Sequence, residues 1–536
     1  MGSETNSAAA ALLQNLPTDL EGIRAQLERL ESERDQYRTL YLALLEQYKK
    51  LERGLFAGQK AERLSPSDAQ LSLQLLGTLL GRHEDPAEIA QETPAPKARE
   101  KKRRPTGRKP LPANLPRVEI EILPEEVQRE GLDAFERIGA DVCEVLERRP
   151  SSLVVVRIVR PKFVRKDRER NATTEVVVAS KMELPVQRGL AGPGLLADTL
   201  VRRFQDHLPL NRLEQIYARE GLELARSTVC GWHIDLAAQL RFLIEAMWED
   251  ARGAPYLCTD ATGVLVQAKE RCRSGHFWVV IAPERHVLFA YSSKHDSDAV
   301  DDMLAGYAGY LVADAHVVYD HLYAQGSVIE VGCWAHCRRY FFKALATDPE
   351  RARAALAFFQ ALFKIEREHA SEPSRKRREI RQQHSKPLVD AFFAWCAAQA
   401  GQVLDETPIH AGIRYATNQR RALERFLEDG QLPLHNNGSE LQLRRQAIGR
   451  KNWLFLGSED AAEVNTTFVS LLASCQMHGV EPSGYLRDLL CLLPDWPVRS
   501  VLELSPLHWR QTLEQPHAQQ RLRANPFRNA SLGSVR

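Results

Sequence analysis

Two short runs in this chain end alike: "YLCTD" at residues 256–260 and "YLVAD" at 310–314, each an apolar stretch closed by an aspartate. In extended segments such runs bury their hydrophobic residues in a sheet and lift the last carboxylate out of its edge, which places Asp260 and Asp314 at strand ends. One aspartate at a strand end is commonly a cap or turn former. Two carboxylates on adjoining strands repel each other unless a cation sits between them, and hard divalent ions such as Mg²⁺ take oxygen ligands of this kind. A third acid stands in "LHNNGSELQLRRQAIGRKNWLF" (434–455), where Glu440 precedes Arg444, Arg445, Arg450 and Lys451. If Asn436 or Asn437 caps a helix, Glu440 falls in its first turn, where the helix dipole alone would favour an acid. With the two aspartates it completes a set able to hold two Mg²⁺ ions, for which Mn²⁺ can substitute, clamping the attacking and leaving oxygens of an in-line phosphoryl displacement. The four cations beside it suit the phosphates flanking the scissile one in DNA. A nucleotide cofactor is not expected, because no G-x-x-x-x-G-K-[ST] loop is present.

Three elements must converge to bring these acids together. Between residues 251 and 344, "PYLCTDATGVLV", "HFWVVIA" and "HVLFAYSS" are followed by a helical "SDAVDDMLAGY", the strand "GYLVADA", a helix, the strand "VIEVGCW" and another helix. The order is βββαβαβα, in which the first and fourth strands can be parallel neighbours with ligands gathered beyond their carboxyl ends. Residues 345–430 are charged and helix-rich and read as an all-α insertion, after which 431–504 supply the second part of the same domain. Cys333, His336 and Cys337 approach metal-ligand spacing but read as parts of the fifth strand and its helix, and no zinc is expected there.

For the preceding segments a nucleic-acid reading and a plainly structural one both stay open. Residues 191–250 hold three helical stretches, the second starting after Pro209 and the third capped by Ser227 or Thr228, with a Gly-containing turn between: helix-turn-helix grammar, which a plain bundle would share. Arg226, Ser227 and Thr228 are its candidate DNA contacts. Residues 117–190 form a small β-containing module. Residues 84–116 are a linker with seven prolines, and its Lys101, Lys102, Arg103, Arg104, Arg108 and Lys109 suit phosphate contacts, as they would suit a merely solvated linker. Residues 58–83 are a further helical segment. From Ile23 through Leu27, Leu30, Tyr37, Tyr41, Leu44, Tyr48 and Leu51 to Leu55, apolar residues fall at spacings of three and four, interrupted only at Arg34, so 18–57 read as a coiled coil that self-associates, in preference to an amphipathic helix packed on its own domain. Residues 1–17 and the tail 505–536 are expected to be disordered. The fold class is thus multidomain, α/β plus α.

Composition bounds the alternatives. A chain of 536 residues exceeds one ordinary core. Its 72 Lys and Arg against 70 Asp and Glu leave +2, so an anionic partner must be met by local clusters. Nine scattered cysteines favour reduced thiols, and neither a signal peptide nor about 18 uninterrupted apolar residues is present, which points to a cytoplasmic protein without membrane contact.

The blocks "YLCTDAT", "GYLVADAHVVYD", "GCWAHCRRYFF", "NNGSELQLR", "GRKNWLFLGS" and "GVEPSGYLRDLL" resemble, in order, those of IS66-type insertion-sequence transposases, as do "LFAGQKAERL", "GRKPLPANLPR" and "DHLPLNRLEQIYAREG". The resemblance spans nearly the whole chain. It implies an RNase H-like catalytic domain whose DDE triad is Asp260, Asp314 and Glu440, interrupted by a helical insertion before the glutamate. It also implies a coiled-coil N-terminus, binding to terminal inverted repeats, metal-dependent strand cleavage and transfer, and small accessory proteins of the same element. The chain departs from the family at His435 (usually Asp), at Ala315 and His316 (usually Gly-Tyr) and at Ala261 (usually Glu). It also lacks the cysteine pairs of the family's zinc module, so the β module is expected to be metal-free. The rival function is a DNA-binding protein descended from a transposase and catalytically inactive.

Overall fold

The chain builds two mixed sheets, and the second of them positions the acids. The computed structural model describes residues 115–532 apart from 150–151, 167–175, 188 and 270, together with 111, 113 and six positions between 22 and 34. Those six, Gly22, Glu28, Arg29, Glu31, Ser32 and Arg34, are helical. The rest of the expected coiled coil, residues 1–17, the 58–83 segment, and Lys101, Lys102, Arg103, Arg104, Arg108 and Lys109 of the linker lie outside the described residues. The chain divides into two units, 1–105 and 106–536, and the second carries everything below.

The first sheet contains β1 (Arg117–Glu121), β2 (Phe135–Arg149), β3 (Ser152–Arg165) and β4 (Val177–Val178), with helix α1 (Glu125–Glu130) between β1 and β2. β3 pairs antiparallel with β2 and parallel with β1. The run "LVVVRIV" makes a strand with apolar residues buried on both sides, because its β-branched side chains pack well on a pleated surface. Val154, Val156 and Ile158 face one cluster and Leu153 and Val155 the other.

The first of those clusters corrects the expectation for the tail. Residues 509–532 are three helices, α17 (Trp509–Glu514), α18 (Pro516–Ala524) and α19 (Pro526–Leu532), and Phe527 and Ala530 are buried against Val154, Val156 and Ile158. Arg528 adds an ion pair to Asp488 at 2.9 Å and the Ser531 hydroxyl donates to the Arg148 carbonyl at 3.1 Å. As far as Leu532 the tail is ordered because α19 covers an apolar face of the sheet, while Trp509, Ala518 and Leu522 are buried in the main core.

Glu147, on β2, is fully buried, and its Oε1 accepts from the backbone N–H groups of Arg148 and Leu195, both at 2.7 Å. A Cβ at Gly192 or Gly194 would collide with this carboxyl, which explains the "GPG" sequence. Burial pushes the Glu147 carboxyl up to about 8, against its backbone hydrogen bonds. The folded chain therefore keeps a proton that the unfolded chain releases at its ordinary value, so stability falls as pH rises from about 4.5 through about 8. Glu147→Gln keeps an acceptor and removes the ionisation. Thermal unfolding across that range is expected to show a steeper loss for the native chain than for the variant.

Four helices follow: α2 (Pro193–Phe204), α3 (Leu210–Arg219), α4 (Arg226–Gln239) and α5 (Arg241–Arg252). α4 starts two or three residues earlier than a Ser227 or Thr228 cap would require. Ala225 occupies the cap position with no side-chain bond, and Arg226, Ser227 and Thr228 lie exposed in the first turn. Its start is set instead by burial of Val229, Trp232 and Leu236 against the same core as Leu213 and Tyr217. Phe204 stacks on Phe468 at 5.2 Å, joining these helices to the core of the second sheet.

The second sheet contains β5 (Tyr256–Val266), β6 (Arg273–Ala282), β7 (His286–Ser292), β8 (Gly309–Val312) and β9 (Val328–Val331), with α6 (Ser297–Leu304) and α7 (Asp320–Gln325) flanking β8. Its order is β7-β6-β5-β8-β9, parallel from β5 to β9 and antiparallel among β5, β6 and β7. The first and fourth strands of this βββαβαβα stretch are thus parallel neighbours. Cys258, Val312 and Val331 pack against α8 (Trp334–Ala344) and the helical insertion, made of α9 (Pro349–Glu368), α10 (Ser374–Ile380), α11 (Lys386–Ala400), α12 (Pro408–Asn418) and α13 (Arg420–Glu424). After the insertion come α14 (Asn437–Trp453), α15 (Glu459–Met477) and α16 (Pro482–Leu492). β7 is an edge strand, and α15 covers it: the Ser470 and Ser474 hydroxyls accept from the Phe289 and Val287 N–H groups at 2.8 and 3.1 Å.

Candidate active site

Parallel pairing sets the two matching motifs side by side, residue for residue: Tyr256 opposite Tyr310, Leu257 opposite Leu311, Cys258 opposite Val312. Asp260 and Asp314 each follow the last pair by two residues, so both stand on the face that holds Cys258 and Val312. Asp314 lies just past the end of β8. Asp260 does not end its strand as the sequence implied, because β6 continues to pair with β5 as far as Val266 after β8 has stopped. The acid therefore projects from a strand held on one side only.

Glu440 arrives in the first turn of α14. Asn436 occupies the cap position but does not cap. Its buried side-chain amide donates to the Thr259 carbonyl at 2.7 Å, and its backbone N–H points to Cys333 Sγ at 3.2 Å. The start of the helix is thereby tied to the residue immediately before Asp260. At the other end Arg450 donates to Thr262 Oγ1 at 3.0 Å and to the Gly263 carbonyl, so both ends of α14 are fastened along β5.

Burial pushes the Asp260 carboxyl up to about 7, with the negative charges of Asp314 and Glu440 adding to the rise; the Ala261 N–H, donating at 2.8 Å, and Arg339 oppose it. All three acids thus share one electrostatic neighbourhood. Glu440 Oε1 accepts from Arg339 Nη2 at 2.8 Å and lies 3.5 Å from His336 Nε2. In the sequence His336 drew notice only for its spacing from two cysteines, and Arg339 was passed over; their three-residue spacing in "WAHCRRYF", on the helix after the last strand, was the available signal. Cys333, His336 and Cys337 go separate ways: under Asn436, toward Glu440, and into the core against the insertion helices. Beside Asp314, His316 meets His295 edge-on at 4.5 Å, and His295 lies flat on Trp278 at 4.7 Å.

Among the described residues no three His, Cys, Asp or Glu side chains are close enough to hold one ion as they stand. The donor set nonetheless fits a hard divalent cation, being all oxygen with mutual repulsion at Asp260. In this structure Oε1 of Glu440 is held by the Arg339 guanidinium. Of the cations expected to hold DNA, Arg444 and Lys451 are exposed and Arg450 is committed to β5. Arg445 donates to Gln442 at 3.0 Å and shares with Arg444, Gln205, His207 and Gln476 a groove of about 630 Å³. Arg226, Ser227 and Thr228 belong to α4, where Arg226 pairs with Glu214 at 3.0 Å.

A family model described as "Transposase IS66 family" matches residues 188–464, just over half of the chain and all of the stretch from Asp260 to Glu440. The chain belongs to that family. A second model, described as "Transposase C of IS166 homeodomain", matches residues 43–120 of this IS66-family chain. Two relatives from Sinorhizobium fredii, the uncharacterized proteins y4hP and y4qI, are each 29% identical to it, over 88% and 84% of this chain and 89% and 86% of their own lengths. Among its described residues no helix is long and apolar enough to cross a membrane.

Proposed function

We propose that this IS66-family chain is a DNA transposase with an RNase H-like catalytic domain, which binds the terminal inverted repeats of its element and cleaves and joins DNA strands through a DDE triad of Asp260, Asp314 and Glu440. The observation that supports this reading is the in-register pairing of the two aspartate motifs, with α14, the helix that carries Glu440, fastened along β5. The three carboxylates would hold two Mg²⁺ ions, or Mn²⁺ in their place, which neutralise charge and activate the oxygen nucleophile during phosphoryl transfer. Asp260 and Asp314 stay fixed by the sheet. Glu440 would join the aspartates in holding the ions, and Arg339, which now bonds to it, would then be free to meet a phosphate. Arg444, Arg445, Lys451, Arg226, Ser227 and Thr228, with the basic linker, hold the flanking backbone; Arg450 acts by holding α14. The coiled coil pairs copies of the chain on two DNA ends, and small accessory proteins of the element join the complex.

The test is incubation of the purified chain with labelled element ends and a supercoiled target plasmid. Mg²⁺ or Mn²⁺ is expected to give 3′-hydroxyl nicks at the ends and joined products, both absent with chelator. Binding without cleavage in either metal would leave an inactive DNA-binding descendant. Cutting without joining would make it a nuclease.

A further inference from the structure

Helix α14 ends in a turn that few side chains would choose. Leu454 adopts φ +66° and ψ −52°, and the Phe455 N–H closes back on the Trp453 carbonyl at 2.8 Å, a γ-turn of the rare, strained hand. Bonds to β5 hold it in place: Leu456 N–H to the Leu265 carbonyl at 2.9 Å, and Gln267 N–H to the Leu456 carbonyl at 2.8 Å, with Leu456 itself buried. The strained turn turns large apolar side chains outward. Leu454 is 65% exposed and Phe455 42%, beside Leu265 at 50%.

What surrounds this tip selects its partner. Lys451 stands exposed in the last turn of α14, and Lys269, Arg271 and Arg273 stand exposed on the β5–β6 hairpin; among the described residues nearby in the chain the exposed acids are Glu459, 4.0 Å from Arg273, and Asp460. An apolar point framed by cations matches a ligand with flat apolar faces between anions, which is a base step between its phosphates. We propose that Leu454 and Phe455 are a wedge that enters a base step of bound duplex DNA, unstacking it while the flanking cations hold the backbone. Resting on the DNA reading above, this adds what the chain does to its substrate. The rise along α14 from Glu440 puts the wedge roughly 20 Å, or about six base steps, from the carboxylates.

The test compares the full chain on a short duplex carrying one A·A mismatch beside a 2-aminopurine and on its fully paired counterpart. A mismatch prepays the unstacking, so binding is expected to be about tenfold tighter to the mismatched duplex, with a rise in 2-aminopurine fluorescence. Leu454→Gly relieves the backbone strain, so its unfolding midpoint is expected to hold or rise while the preference disappears. Phe455→Ala should lose the preference too. Equal affinity of the native chain for the two duplexes, or a preference kept by both variants, overturns the wedge and leaves DNA binding intact. Failure to bind either duplex overturns the DNA reading itself, and the wedge with it.

Discussion

Asp260→Asn, Asp314→Asn and Glu440→Gln, made singly, are each expected to lower strand cleavage and joining at least about 10³-fold while binding to end DNA stays measurable. Each change preserves shape and removes one charge from a site whose proposed task is to hold cations. Stability tells this apart from misfolding. Asp260 carries a carboxyl raised by burial and by two neighbouring acids, so Asp260→Asn removes a repulsion and should leave the unfolding midpoint unchanged or higher. Glu440→Gln loses a partly exposed ion pair to Arg339 and should cost less than about 1 kcal/mol. Full joining activity in any one variant would show that the residue is misassigned. Inactive variants that are also unfolded would show the acids to be structural.

Arg381→Met is expected to be the most damaging change outside that site, costing about 3–5 kcal/mol. Arg381 is 1% exposed. It grips both oxygens of Glu366 at 2.7 Å and donates to the carbonyls of Phe426, Asp429 and Leu432 at 2.7, 2.7 and 2.9 Å. All five guanidinium N–H groups are thereby used. Removing Arg381 leaves the Glu366 charge and three carbonyls without their donor. It also frees the segment that runs from Leu432 to Asn436, and with it the placement of Glu440. Chemical denaturation checks the cost, and a loss below about 1 kcal/mol would show that the network holds little. The double change to Met at Arg381 and Glu366 should recover much of the loss, because it removes the stranded charge along with its partner.

The parts of this molecule legible beforehand were those written in local pattern. The two Tyr-Leu-x-x-Asp motifs pair in register because the same apolar spacing suits the same strand geometry, and "NNGSE" does open a helix. Long-range pairing was not legible. Asn436 has the identity of a cap, yet its amide goes to Thr259, 177 residues away, and no local rule signals that. Asp260 was placed at a strand end because the run "YLCTD" stops being apolar there, whereas β6 supplies backbone partners for six residues more. The tail looked polar since Trp509, Ala518, Leu522 and Phe527 are diluted among charges; Phe527 is ordered by the face of a sheet more than 300 residues earlier, and Trp509, Ala518 and Leu522 by the main core, where Trp509 packs on Tyr485. His336 and Arg339 were hidden because their meaning depends on Glu440, a hundred residues on.

Whether three acids remote in sequence form one cation site is best settled by anomalous diffraction from crystals grown in saturating Mn²⁺. Manganese peaks are expected between the Asp260 and Asp314 carboxylates, with Glu440 turned away from Arg339 toward the metal. Density without manganese between the two aspartates, and Glu440 still bonded to Arg339, would contradict the site and leave a protein that binds DNA without cutting it.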